Sequence, residues 1–369
     1  MKASFLTENL QKTLSFLNHA VSGNSQLEIL STFLLIAEKG RLVINATDLE
    51  IGISSSIPAN IEEEGKVCIP AKTFFDLVNN VSEEKISIGT EGQSLVLKGK
   101  KIKMVFQTQP HEDFPALYED KGEEVAVFKK ETVINDFNKV VFAASQDSSR
   151  PALSGVLIKK EKDEILMVAT DGYRLSLKNN IVVKTKKGES LDALLLSARA
   201  VKELASIKQN EDISLFVSSK NNQAVFVQGE TTLVGRLIEA EYPNYEKIIP
   251  TDFGTKAEFD KNEMQKAIKL CSVFARETAN IVKLSVKKDK IIVSANTPSI
   301  GENTVEVDAK ITGEENEIAF NARYLLDLFA NIDEEDMSFE MAGPLNPGVF
   351  KIIGDNSFLH LIMPIRVQG

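Results

Sequence analysis

Residues 170–174 read Thr-Asp-Gly-Tyr-Arg, so Asp171, Tyr173 and Arg174 place an acid, a phenol and a guanidinium within four positions. A carboxylate beside a phenol could do general acid–base work. An Asp-Gly between the apolar runs Ile165–Ala169 and Leu175–Leu177 is also a strong hairpin signal. Catalysis would need a converging base, nucleophile or metal ligand. The chain has only three histidines, His19, His111 and His360, with no metal-ligand spacing, and two cysteines, Cys68 and Cys271. No metal site and no catalytic residue is therefore expected. Asp48, in Ala46-Thr47-Asp48, sits where Asp171 sits in Ala169-Thr170-Asp171, so the acid reads as turn chemistry shared by a repeat.

The elements that position this turn recur three times. Ala46 and Ala169 are 123 residues apart, and Ala295 follows 126 residues later in a fainter copy. A second signature places an alanine at 71, 198 and 322, ahead of the helical patterns in 68–81, 195–207 and 319–332. Each unit opens on an amphipathic stripe with i, i+3, i+4 spacing: Leu10, Leu14, Leu17 and Val21 after a Thr7 cap; Ile134, Phe137, Val141 and Ala144; and Met264, Ala267, Cys271 and Phe274. Short turns such as Glu91-Gly92 and Gly354-Asp355 separate strand-like runs. The expected fold is α+β, three repeated domains over 1–122, 127–250 and 256–369, each with two helices against antiparallel sheet.

A hydrophobic content of 43% and a charged content of 26% are those of a globular chain, and no apolar run approaches the ~20 residues of a membrane span. No secretory leader is apparent and cysteines are few, so a cytoplasmic, reducing address is expected. The net charge of −10 argues against a surface that grips nucleic acid everywhere. Yet Lys72, Arg199 and Arg323 each follow the aligned alanine, where the helix dipole disfavours a cation. Lys12, Lys139, Lys266 and Lys269 lie opposite the apolar stripes. Such a cationic lining on an anionic body suits a polyanion held through its phosphates without sequence readout.

The repeat, Ala-Thr-Asp-Gly-Tyr-Arg-Leu at 169–175, Tyr-Pro-Asn-Tyr-Glu-Lys-Ile-Ile-Pro at 242–250 and Leu-Ile-Met-Pro-Ile-Arg-Val at 361–367 together resemble the bacterial DNA polymerase III beta subunit family, the sliding clamps, over the full length. The resemblance implies a DNA clamp fold closing into a ring as a head-to-tail homodimer around double-stranded DNA. It implies no enzyme activity and no cofactor. The implied partners are the replicative polymerase alpha subunit, a clamp loader, and other polymerases and repair proteins carrying a clamp-binding peptide. No membrane is involved. The implied peptide pocket comprises Thr170, Gly172, Tyr173, Arg174, Leu175, Pro243, Ile248, Asn321, Tyr324, Met363, Pro364, Ile365 and Arg366.

The DNA-facing set then gains Arg150 and Lys202, and the implied dimer contact sets Met104 and Phe106 against Leu270 and Phe274. Tyr173 stands where many relatives have histidine, and Pro151-Ala152 and Asn24 stand where some carry DNA-contacting residues. Gln368 and Gly369 extend past the usual end. The rival reading is a repeat scaffold that binds protein partners only. Retention on circular but not linear DNA separates the two.

Overall fold

The computed structural model describes all residues except 24, 148, 162–163, 185–192, 208–209, 278, 298–300 and 367–369. Asn24, Gln368 and Gly369 therefore lie outside the described residues, as does the turn of the third copy at 298–300. The chain divides into two compact bodies. The first holds 1–131, 183–190 and 199–237; the second holds 132–182, 191–198 and 238–369.

The first body carries two antiparallel sheets. One orders its strands Asn60–Glu63, Lys2–Leu6, Lys85–Glu91, Ser94–Lys98, Lys103–Gln107. The other has eight strands, in which Ile51–Pro58 pairs with Thr231–Arg236, Ile53 opposite Leu233. The second body is built on a twelve-stranded order in which Arg174–Val182 pairs with Asp355–Ile362, Ser176 opposite His360. Strands of the central repeat are thus shared between the bodies. Pairing across repeats explains why a threefold sequence pattern gives two compact bodies: a strand edge left open by one repeat is satisfied by the next.

The helices are α1 (Thr7–Leu17), α2 (Ala71–Asn79), α3 (Lys130–Thr132), α4 (Asn138–Val141), α5 (Ala198–Ser206), α6 (Lys261–Ala275) and α7 (Ala322–Ala330). α2, α5 and α7 each start on the aligned alanine. Leu10, Leu14 and Leu17 bury fully, as do Met264, Ala267 and Cys271 of α6. Thr7 is not a cap: Leu6 takes that position, and the Thr7 hydroxyl is buried without a partner. Between α3 and α4 a π-helical turn, Val133–Phe137, adds residues to one turn and shifts the stripe. Val133 is buried in place of Ile134, which is exposed.

Backbone hydrogen bonds repeat with the sequence. Arg236 N–H donates to Glu50 O at 3.3 Å, and Met363 N–H to Tyr173 O at 2.8 Å. Ile238 N–H donates to Leu195 O, and Ile365 N–H to Ala319 O, both at 2.8 Å.

Candidate functional site

The 170–174 turn closes on its own side chains. Thr170 Oγ1 donates to Arg174 O at 2.6 Å and accepts from Gly172 N–H at 3.1 Å. Asp171 Oδ1 accepts from the N–H groups of Tyr173 and Arg174 at 2.9 and 3.0 Å. Gly172 sits at φ 91°, left-handed backbone that a glycine adopts without strain. The 47–51 turn repeats the pattern: Thr47 Oγ1 donates to Ile51 O, and Asp48 Oδ1 accepts from Glu50 and Ile51 N–H. Asp171 is thus spent on turn geometry, as its twin Asp48 indicates.

Arg174 is buried. Its Nε donates to Asp171 Oδ2 at 3.1 Å, Nη1 to Asp327 Oδ2 at 2.7 Å, and Nη2 to Phe142 O at 3.1 Å. The guanidinium carbon lies 4.7 Å from the Tyr324 ring centre and 5.6 Å from that of Phe142. Burial, then the nearby Asp171 carboxylate, raises the Tyr324 phenol above its ordinary value.

Around this lip the second body gathers most of the expected pocket. Tyr173 is 58% exposed and holds Met363, itself 38% exposed, through the Met363 N–H. Pro364 and Ile365 are half-buried, and Arg366 is exposed. Asn321 caps α7 by accepting from Arg323 N–H at 3.0 Å. Leu175 is fully buried with Val168, Leu361 and Tyr245, so it forms floor rather than surface. Tyr245 anchors the segment bearing exposed Pro243 and Ile248 to that cluster. A Cβ on Gly172 would lie 3.8 Å from Arg150 Nη1 and 3.9 Å from Leu153. Arg150, expected to face DNA, therefore stands beside the lip, and Leu153 was not anticipated. Its only sequence signal was an apolar residue next to Pro151-Ala152.

Two expected DNA-facing cations are corrected. Lys139 is buried and paired with Glu334 at 2.5 Å. Arg199 is half-buried, paired with Asp48 and with Glu50 at 3.1 Å, and donates to His19 O. Both sit where repeats pack together, and there a cation needs a carboxylate because it has lost water. Lys12, Lys72, Lys202, Lys266, Lys269 and Arg323 are exposed, Lys12 pairing with Glu8 at 2.5 Å. Of the expected dimer residues, Leu270 is 56% exposed, whereas Phe274 packs half-buried on the core. Phe106 is buried against Phe74, and Met104 is half-buried. Val105 and Val273 are the exposed neighbours that sequence reasoning passed over.

Among the described residues, no group of three His, Cys, Asp or Glu side chains is arranged to hold a metal. Cys68 and Cys271 are buried, and burial pushes each thiol up to about 11.

Domain families described as DNA polymerase III beta subunit N-terminal, central and C-terminal domains match residues 1–118, 127–244 and 246–366. Beta sliding clamps of Staphylococcus aureus and Synechococcus elongatus are 28% and 26% identical over 380 residues. These alignments cover 99% of this chain and 98% of the former protein, and 100% of both in the latter case. A solved sliding clamp from Bacillus subtilis superposes with a TM-score of 0.93, and a beta subunit from Thermotoga maritima with 0.91. Each is 25% identical with both chains fully covered.

The architecture is therefore the three-domain sliding-clamp fold of antiparallel sheets and paired helices. Matched in order along nearly its whole length, the chain belongs to the DNA polymerase III beta subunit family, whose members are non-catalytic.

Proposed function

We propose that this chain is a ring-forming processivity factor that encircles duplex DNA in the cytoplasm. It tethers the replicative polymerase and other replication and repair proteins through a peptide pocket, and a clamp loader places it on DNA. Its repeats are taken as 1–122, 127–250 and 256–369. The supporting observation is convergence in one body: the 170–175 turn, Tyr324 and the tail at 363–366 are joined by the Met363–Tyr173 hydrogen bond and the Arg174–Tyr324 stack. Exposed Met363, Ile248 and Tyr173 offer an adaptable apolar surface for varied peptides, with Arg366 at its rim. Among the described residues, no helix is long and apolar enough to cross a membrane.

Ring closure is supported by two open strand edges. Lys103–Gln107 ends the five-stranded sheet. Among the described residues, 301–308 pair on one side only, with Lys290–Thr297. Such edges invite pairing with another chain, and a head-to-tail contact that closes after two copies leaves neither exposed. Val105 on the first edge strand, and Leu270 and Val273 on α6, supply apolar contact. The exposed cations at 12, 72, 202, 266, 269 and 323 supply phosphate contacts without sequence preference.

The test is binding of a fluorescent peptide containing Gln-Leu-Ser-Leu-Phe to the full chain and to a chain ending at Ile362. Micromolar binding lost on truncation, with circular dichroism unchanged, supports the pocket. Binding that survives truncation moves the pocket elsewhere.

A further inference from the structure

Beside the proposed pocket, Arg174 spends most of its guanidinium on protein groups. Arg174 directs Nε, Nη1 and Nη2 at three protein acceptors, and its faces lie against Tyr324 and Phe142. It is 9% exposed. A guanidinium so occupied holds protein to protein. What it joins is specific: the 170–175 turn through Asp171, the segment after α4 through the Phe142 carbonyl, and α7 through Asp327. On α7, Asp327 stands three residues after Tyr324, one turn away on the same face. Behind Phe142 the column continues. The Phe142 ring stacks on His360 at 5.2 Å and 27°, and His360 Nδ1 lies 2.6 Å from Ser176 Oγ in the strand that follows the turn.

We propose that Asp327 and Phe142 are positioning residues of the peptide pocket, acting through Arg174 to fasten the 170–175 turn to the helix that carries Tyr324. This inference rests on the pocket reading above and adds two residues that the family resemblance did not assign to it. Without the clasp, a peptide must order the lip against α7 as it binds, and that ordering is subtracted from its affinity. A charged partner of a buried guanidinium is among the stronger hydrogen bonds. Asp327 is half exposed, which screens the pair and limits the effect.

The experiment uses the full chain and the same fluorescent peptide with Asp327→Ala, Asp327→Glu, Phe142→Leu, Arg174→Lys and the double variant Asp327→Ala/Arg174→Lys. Hydrogen exchange at Gly172–Arg174 is followed in the absence of peptide. Asp327→Ala is expected to weaken binding roughly five- to tenfold, below the scale of a fully buried charge-assisted hydrogen bond because Asp327 is half exposed. Phe142→Leu should weaken it less, and Asp327→Glu should recover part of the loss. The double variant should bind no worse than the weaker single one, because both break the same clasp. Exchange at 172–174 should quicken while the global melting temperature holds within a few degrees. Additive losses, or wild-type affinity in Asp327→Ala, overturn the inference while leaving the pocket in place. If the unsubstituted chain fails to bind, the pocket reading falls, and unchanged exchange at 172–174 then overturns the clasp itself.

Discussion

Cations on the helices fall into two kinds, and the difference can be measured. By sequence, Lys139 and Lys266 both lie opposite an apolar stripe, yet Lys139 is 7% exposed and paired with Glu334, whereas Lys266 is exposed. Replacing Lys139 by alanine leaves the part-buried Glu334 carboxylate without its partner, a loss of about 1–3 kcal/mol. At about 2–4 °C per kcal/mol for a domain of 150–250 residues, the melting temperature should fall by several degrees. Replacing Lys266 should leave the melting temperature within a degree. Each lost phosphate contact lowers the slope of log affinity against log salt by about 0.9, so between about 50 and 200 mM salt the fall in affinity shrinks roughly 3.5-fold. Fluorescence anisotropy of a short duplex across that range gives the slopes, and calorimetry gives the midpoints. Lys266→Ala should change the slope alone and Lys139→Ala the midpoint alone. A slope change of similar size in Lys139→Ala, with its melting temperature intact, refutes the assignment of that lysine to structure.

Further outcomes follow from other sites. Gly172→Ala should cost about 1 kcal/mol, because an added Cβ meets Arg150 and Leu153 only at ordinary contact distance and the penalty is that of φ 91°; a stabilised variant on calorimetry would contradict this. Leu270→Lys with Val273→Lys should halve the mass seen in sedimentation to that of one 40.7 kDa chain, without loss of secondary structure. The Glu334 carboxyl is raised by burial but more than offset by the Lys139 hydrogen bond and by its own backbone, so its net position is below the ordinary 4.5. Its contribution is therefore present above 4.5 and fades as pH falls through the lower folded value. The melting difference between the wild type and Glu334→Gln should accordingly be full at pH 7 and shrink under acid.

The repeat was legible because its signals are local. The aligned alanines do begin α2, α5 and α7, and the leucine stripe of α1 is the buried one. The turn chemistry of Asp48 and Asp171 was legible for the same reason: an Asx turn needs only its own next three residues. What sequence could not show is which partner a polar side chain finds. Arg199 looked like Lys72 and Arg323 at the start of its helix, but Asp48 and Glu50 lie about 150 residues away and come to it through strand pairing. The π-helical turn at 133–137 also defeats any fixed 3.6-residue period, which is why that period marks Ile134 as core and passes over Val133. By charge alone Arg150 suits a phosphate contact, but its position beside Gly172 goes with the 3₁₀ turn of Pro151–Ser154 that follows it.

The duplicated turns also show how the two repeat junctions come to present different surfaces. Both use the same backbone hydrogen bond, from Met363 to Tyr173 in the second body and from Arg236 to Glu50 in the first. The side chains hung on that frame differ. In the second body the frame presents Tyr173 and Met363, and the arginine is turned inward against Asp171 and Asp327. In the first body the same positions hold Glu50 and Arg236. Glu50 pairs with Arg199, His19 lies 2.6 Å from Glu203, and Leu117 fills the space beside Gly52, where a Cβ would meet it at 2.9 Å. Carboxylates and a plugging leucine leave little apolar surface for a peptide, whereas an inward-turned guanidinium frees the surface around it for apolar contact. Repetition supplied the frame twice. Burying the charge at one copy, and leaving methionine, isoleucine and tyrosine at its rim, is what gives that copy the apolar surface on which the proposed peptide pocket rests.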